Sequence, residues 1–139
     1  MSIKTVRRLR HQAFVSQACL CFYCELPMWE TNQEQFVLSH RIPARLSKHL
    51  KCTAEHLLAQ KDNGCDTAEN IVAACQWCNR SRHQGRSHKA PDPLAYKSRV
   101  AKLVAKGNWH PVIASKSLHQ RHPRLLSALN ISANWGSHI

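Results

Sequence analysis

Acidic residues are scarce in this chain of 139 residues: 8 Asp and Glu stand against 20 Lys and Arg, a net charge of +12 before any of its 10 His takes a proton. The shortage is uneven. Residues 1–79 carry seven acids and nine bases, whereas residues 80–139 carry one acid, Asp92, and eleven bases. A solvated face mixes signs more evenly, so the excess points to an anionic polymer as partner, most often nucleic acid. Also missing is any run approaching the roughly 20 apolar residues of a membrane helix. The start, MSIKTVRRLRHQAFVSQ, has bases but no continuous apolar core of signal-peptide length, so no export signal is read and a cytoplasmic protein is expected. Internal repeats and low-complexity tracts are absent too. What is left is a globular composition, 43% hydrophobic, and a length suited to one domain with a modest core.

Cysteine, in contrast, is abundant, with seven residues. In a reducing cytoplasm, CxxC pairs read as metal ligands before they read as disulfides. Cys21 and Cys24 enclose Phe22-Tyr23, the usual form of a zinc knuckle, and Cys75 and Cys78 repeat the spacing about fifty residues later. Four thiolates make a closed, tetrahedral, structural zinc site with no open position for water. Such a clamp supplies folding free energy to a small domain. Cys19, Cys52 and His83 are the alternative ligands.

Residues 3–17 are expected to be helical, with Ile3, Val6, Leu9 and Ala13 on one face. Thr31 and Glu34 have capping-box spacing for a short helix, and Pro43–Leu50 suggests another helical piece. Lys51–Leu58 and Ile71–Ala74 read as strands around a turn-rich stretch with Asn63-Gly64 at its tip. Gln76 to about Gln84 reads as a short helix. Asp92-Pro93 opens a further helix as N-cap and first residue, and Gly107 stands where its C′ residue should. A last helical turn or two is expected at Leu125–Leu129. The expected class is α+β.

Between Cys52 and His83 lies the densest chemistry. Glu55 can ligate a hard cation, and His56 can take a proton from water near neutral pH. Adjacent strand residues face opposite ways, so one can address an ion and the other a water. Asn70 follows the turn, Asn79 follows Cys78 directly, and His83 lies one helical turn further on the same face. Each residue alone reads as an ordinary surface or turn residue.

Together, Glu55-His56, Asn70, Cys75-x-x-Cys78-Asn79 and His83 resemble the HNH endonuclease family. His56 to Asn70 is fourteen residues and Asn70 to Asn79 nine more, spacing similar to the HNH domains of CRISPR effector nucleases. The further step of four to His83 looks like the second metal-binding His of colicin nucleases. The resemblance covers about residues 19–85 of an expected single domain, 1–139, in which 86–139 is a basic helical extension. It implies a ββα-metal, treble-clef-like core around one catalytic Mg²⁺ or Mn²⁺. His56 would be the general base, Glu55 and Asn79 ion ligands, and His83 a third ligand or phosphate contact. Asn70 would hold the loop and orient His56 by hydrogen bonding. The family often has Asp or His where Glu55 stands. The basic residues Arg80, Arg82, Arg86 and Lys89 suit phosphate contacts, which position without reading sequence. DNA is the implied substrate, and a double-strand break would need a homodimer or two encounters. The alternatives are a non-catalytic zinc-dependent nucleic-acid-binding module, or a nuclease subunit active only with a partner protein in an antiviral defence or restriction complex.

Overall fold

The computed structural model describes residues 3–84 and 89–114. The expected turn at Leu125–Leu129 and the phosphate-contact candidate Arg86 lie outside them. The elements run α1 (Ile3–Ser16), α2 (Gln33–His40), α3 (Ala44–Ser47), a 3-10 turn (Lys48–Leu50), β1 (Cys52–His56), β2 (Ile71–Cys75), α4 (Gln76–His83), α5 (Pro93–Ala105) and α6 (Pro111–Ala114). This is a mixed α+β arrangement with one two-stranded sheet among the described residues. No helix among them is long and apolar enough to cross a membrane.

The strands pair antiparallel, from Cys52 opposite Cys75 to His56 opposite Ile71. The chain passes from the last residue of β2 straight into α4. The free edge of β2 is capped by a side chain: Gln17 accepts from the Ala73 N–H at 2.9 Å and donates to the Ala73 carbonyl at 2.8 Å. Phe22 N–H donates to that same carbonyl at 3.0 Å. The end of α1 and the knuckle are thereby fastened along the sheet, satisfying backbone groups an edge strand would leave bare. Behind them, Tyr23, Leu26, Ile42, Leu50 and Val100 form a continuous buried core with the cysteines.

Two helix starts show how local chemistry sets the boundaries. In α2 the cap is Asn32, not Thr31: the Asn32 side chain accepts from Gln35 N–H at 3.0 Å. Asn is the stronger cap, so the capping box built on Thr31 gives way by one residue. In α5, Asp92 accepts from Ala95 N–H at 3.0 Å with Pro93 behind it, as expected. Its end is closed by Gly107 at φ 72°, whose N–H meets Val104 O at 2.9 Å. That left-handed conformation is the one Gly adopts without strain.

The extension after α4 is more than charge. Tyr96 on α5 packs edge-on to Tyr23, with ring centroids 4.8 Å apart, and its hydroxyl donates to the Cys78 carbonyl at 2.9 Å. Past Gly107 the chain turns back to bury His110, Val112 and Ile113. His110 is 2% exposed, and its Nδ1 accepts from Val112 N–H at 3.2 Å. Burial pushes its pKa down from 6.5 to about 4. The unfolded chain therefore takes this proton first, and the stability His110 contributes above pH 6.5 is lost as pH falls toward 4. Asn at this position keeps an acceptor for Val112 and tolerates the residue's φ of 73°. Between pH 7 and 5, wild type is expected to lose about 2 kcal/mol more than His110→Asn, measured by urea unfolding at each pH.

Candidate functional site

The four cysteines of the two CxxC pairs come together. The Sγ atoms of Cys21, Cys24, Cys75 and Cys78 all lie within 4.8 Å of one another, and all four residues are buried. Cys24 Sγ and Cys75 Sγ are 3.9 Å apart. A tetrahedral ion with metal–sulfur bonds near 2.3 Å has sulfurs about 3.8 Å apart, so the donor type and spacing fit a metal ion such as zinc. The alternatives are placed elsewhere: Cys19 is exposed, Cys52 is buried outside the cluster with its thiol pushed up to about 12 by burial, and His83 turns to Glu55.

The chain solvates the sulfurs with N–H groups. Cys75 N–H points at Cys21 Sγ (3.3 Å), Cys78 N–H at Cys75 Sγ (3.4 Å) and Trp109 Nε1–H at Cys78 Sγ (3.3 Å). Cys75 is also the N-cap of α4, where the helix dipole favours negative charge. Burial drives the Cys24 and Cys75 thiols well above their ordinary range. Cys21 feels the same desolvation, but three neighbouring thiols donate to it and pull it down. A divalent ion held among the four sulfurs would offset that desolvation and let the thiols ionise together. Trp109 had no signal in the sequence beyond being an aromatic after a helix.

The second cluster is built on the end of β1. Glu55 is 1% exposed. Its Oε1 accepts from His83 Nε2 at 2.8 Å and from Arg82 Nη1 at 3.2 Å; its Oε2 is buried, and the Tyr23 hydroxyl also stabilises the carboxylate. Burial raises its pKa above the usual carboxylate range, against the pull of His83 and Arg82. His56, next in the strand, turns to a different element: its Nε2 is 2.7 Å from Asp66 Oδ1 in the 57–70 loop.

Asn79 lies one residue past the cysteine pair on α4. Its Nδ2 donates to Thr53 Oγ1 at 3.0 Å and to the Ala54 carbonyl at 3.3 Å. Thr53 gives its only hydroxyl proton to the Ala74 carbonyl at 2.6 Å, so toward Asn79 it can only accept. The amide's orientation follows: NH₂ faces the strand, and Oδ1 is the end left for another donor or a cation.

Asn70 bonds across the loop, and its side chain makes no hydrogen bond to His56 among the described residues. Its Oδ1 accepts from Leu58 N–H (2.8 Å), and its Nδ2 donates to the Leu58 and Cys65 carbonyls (3.0 and 2.9 Å). The contact to His56 comes from Asp66, a residue outside the Glu-His-Asn pattern. Gly64 is required in this loop because a Cβ there would lie 1.8 Å from the Leu58 carbonyl oxygen.

Arg82 is a correction. Expected to meet phosphate, it is 2% exposed and its donors are all turned inward. Nε and Nη2 donate to the Pro91 carbonyl (3.1 and 2.9 Å), Nη1 to Glu55 and the His56 carbonyl (3.2 and 3.1 Å), and Nη2 to the Leu57 carbonyl (2.8 Å). The guanidinium ties the end of β1 and the start of α5 to α4, work that needs a planar fork of donors. Arg82→Ala would leave Glu55 buried with half its pairing and three carbonyls without these donors. The expected cost is about 3–5 kcal/mol by chemical unfolding of the metal-loaded protein, and Lys at this position should recover only part of it. Arg80 and Lys89 are exposed, as a phosphate contact requires.

Comparison with family models, with curated proteins and with solved structures finds no match.

Proposed function

We propose that this chain is a metal-dependent endonuclease of the HNH type, hydrolysing DNA phosphodiester bonds, with β1, β2 and α4 as its ββα-metal core and the four cysteines as a structural zinc clamp. One observation carries the reading: Glu55 and His83 meet at 2.8 Å, with Asn79 a helical turn before His83 and His56 adjacent to Glu55. The Glu55–His83 hydrogen bond brings a carboxylate and an imidazole together, two donor types that a divalent ion takes once the shared proton is lost. Asn79 Oδ1 adds an oxygen donor of the type Mg²⁺ or Mn²⁺ takes. Glu supplies the carboxylate where the family often has Asp or His, and Arg82 on the same Oε1 already offsets part of its charge.

The reaction divides among these residues. His56 removes a proton from water; the resulting hydroxide attacks phosphorus, the bond to the 3′ oxygen breaks, and that oxygen leaves with a proton from solvent. The products are a 5′-phosphate and a 3′-hydroxyl. When bound, the divalent ion polarises the phosphate and stabilises the leaving oxygen. Glu55, Asn79 and His83 would hold it. Arg80 and Lys89 would contact the DNA backbone.

The test is incubation of the zinc-loaded protein with supercoiled plasmid, with and without Mg²⁺ or Mn²⁺. Nicked circles that form only with the ion, and that ligase reseals, support the reading. The Arg82–Glu55 pair is the observation that favours the second reading, a zinc module that binds nucleic acid without cutting it, because it neutralises the carboxylate internally. Binding with no cleavage under either ion, alone or with cell extract, would select that reading; cleavage only with the extract would select a nuclease subunit that needs a partner.

A further inference from the structure

The loop between the strands delivers a carboxylate that the Glu-His-Asn pattern does not contain. Asp66 Oδ1 lies 2.7 Å from His56 Nε2 and also accepts from Gln60 Nε2 at 3.2 Å. The His56–Asp66 pair is largely shielded, with the two side chains 15% and 8% exposed. An ionised carboxylate only accepts, so the shared hydrogen belongs to Nε2 and the neutral ring keeps its lone pair on Nδ1. We propose that Asp66 is a positioning residue for His56: it fixes the ring's rotation and tautomer, making Nδ1 the nitrogen that takes the proton from water. The role of His56 as base rests on the functional reading above; the Asp66 contact does not.

The loop is built so that this carboxylate arrives in register. Leu57 N–H meets Asn70 O at 2.9 Å and closes the hairpin at the residue after His56. Asn70 then binds the Cys65 carbonyl, which fixes the residue directly before Asp66. Gln60 sits on a 3-10 turn (Gln60–Asp62) ended by Asn63 in the left-handed region at φ 69°, and Gly64 N–H returns to Ala59 O at 2.9 Å. Gln60 holds the same Oδ1 that His56 uses, so the carboxylate is fixed from two sides. A carboxylate behind a catalytic imidazole is a known way to set its tautomer, and Asp→Asn at such a position can leave the geometry intact while supporting the wrong one.

Asp66→Asn and Asp66→Glu test the proposal together. In Asp66→Asn the amide can turn its NH₂ toward Nε2, favouring the hydrogen on Nδ1. Its plasmid-nicking kcat is expected to fall by about 100-fold or more, with KM, DNA affinity, zinc content and melting temperature close to wild type. Asp66→Glu keeps an acceptor and should recover part of the loss. The readout independent of activity is ¹H–¹⁵N NMR of the His56 ring, at a pH where it is neutral: Nε2–H in wild type, and a shift toward Nδ1–H in Asp66→Asn. Wild-type cleavage with Asp66→Asn equally active overturns the proposal, as does a wild-type ring carrying its hydrogen on Nδ1. A wild type that shows the Nε2–H tautomer yet cuts under no ion overturns the nuclease reading, and with it any catalytic role for Asp66, while leaving the structural contact in place. If Asp66→Asn melts early, the Glu variant decides: folded, with the Nε2–H tautomer and partial activity, it supports the proposal; folded and as inactive as His56→Ala, it contradicts it.

Discussion

Cys75→Ser is expected to unfold the protein and release its metal. Cys75 is at once a member of the four-sulfur cluster, the N-cap of α4, the acceptor of the Cys78 N–H and the residue paired with Cys52 at the end of the sheet. Burial alone would make its thiolate unfavourable, and a bound divalent ion would offset that cost. A small domain has a margin of roughly 5–15 kcal/mol. Zinc binding to thiolate sites of this kind contributes about 10–16 kcal/mol in isolated fingers, so losing most of it exhausts the margin. The expected result is loss of bound metal, loss of cooperative melting and a collapsed α4. Cys24→Ser should behave alike. Cys19→Ser and Cys65→Ser, at exposed positions, should stay within about 0.5 kcal/mol of wild type. Circular dichroism with metal analysis on the same samples separates these outcomes. A Cys75→Ser protein that melts as wild type does would remove the clamp from the account.

His56→Ala should do the opposite: keep the fold and the zinc, and lose the reaction. His56 sits at the last residue of β1, bonded by its side chain only to Asp66 among the described residues, so its removal frees one loop carboxylate and opens little of the core. General-base catalysis contributes about 10²–10⁴-fold, and plasmid nicking should fall by that factor. DNA affinity should hold, because Arg80 and Lys89 are untouched. Under the proposed function the pair of variants would divide the molecule into scaffold and chemistry: a cysteine change is expected to remove the fold and with it both binding and cleavage, and the His change cleavage alone.

Much of this architecture was legible in the residues, and the parts that were not share a physical reason. The CxxC pairs could be matched because two thiolates at each of two sites, in so short a chain, make up one tetrahedral ligand set. The strands and their turn, and the Asp92-Pro93 start and Gly107 end of α5, follow from local rules that need no tertiary information. Arg82 was misread because a basic residue on a short helix next to other bases looks solvated; only the folded chain puts the end of β1 and Pro91 around its guanidinium. Asp66 escaped notice because its partner is ten residues away, across a loop whose path depends on the close approach at Gly64 and on three bonds from Asn70. Trp109 reaches Cys78 from across the fold, and no periodicity signals that. In each case the missing information was a contact made after the chain had turned.

The most direct measurement is plasmid nicking by wild type and His56→Ala side by side, in Mg²⁺ and in Mn²⁺, with zinc content and melting temperature taken on the same preparations. The account predicts ion-dependent nicks with 5′-phosphate and 3′-hydroxyl ends for wild type, and a loss of about 10²–10⁴-fold for a variant that still holds zinc and melts normally. A wild type that cuts no DNA with either ion, or a His56→Ala variant that cuts as fast as wild type, would contradict it.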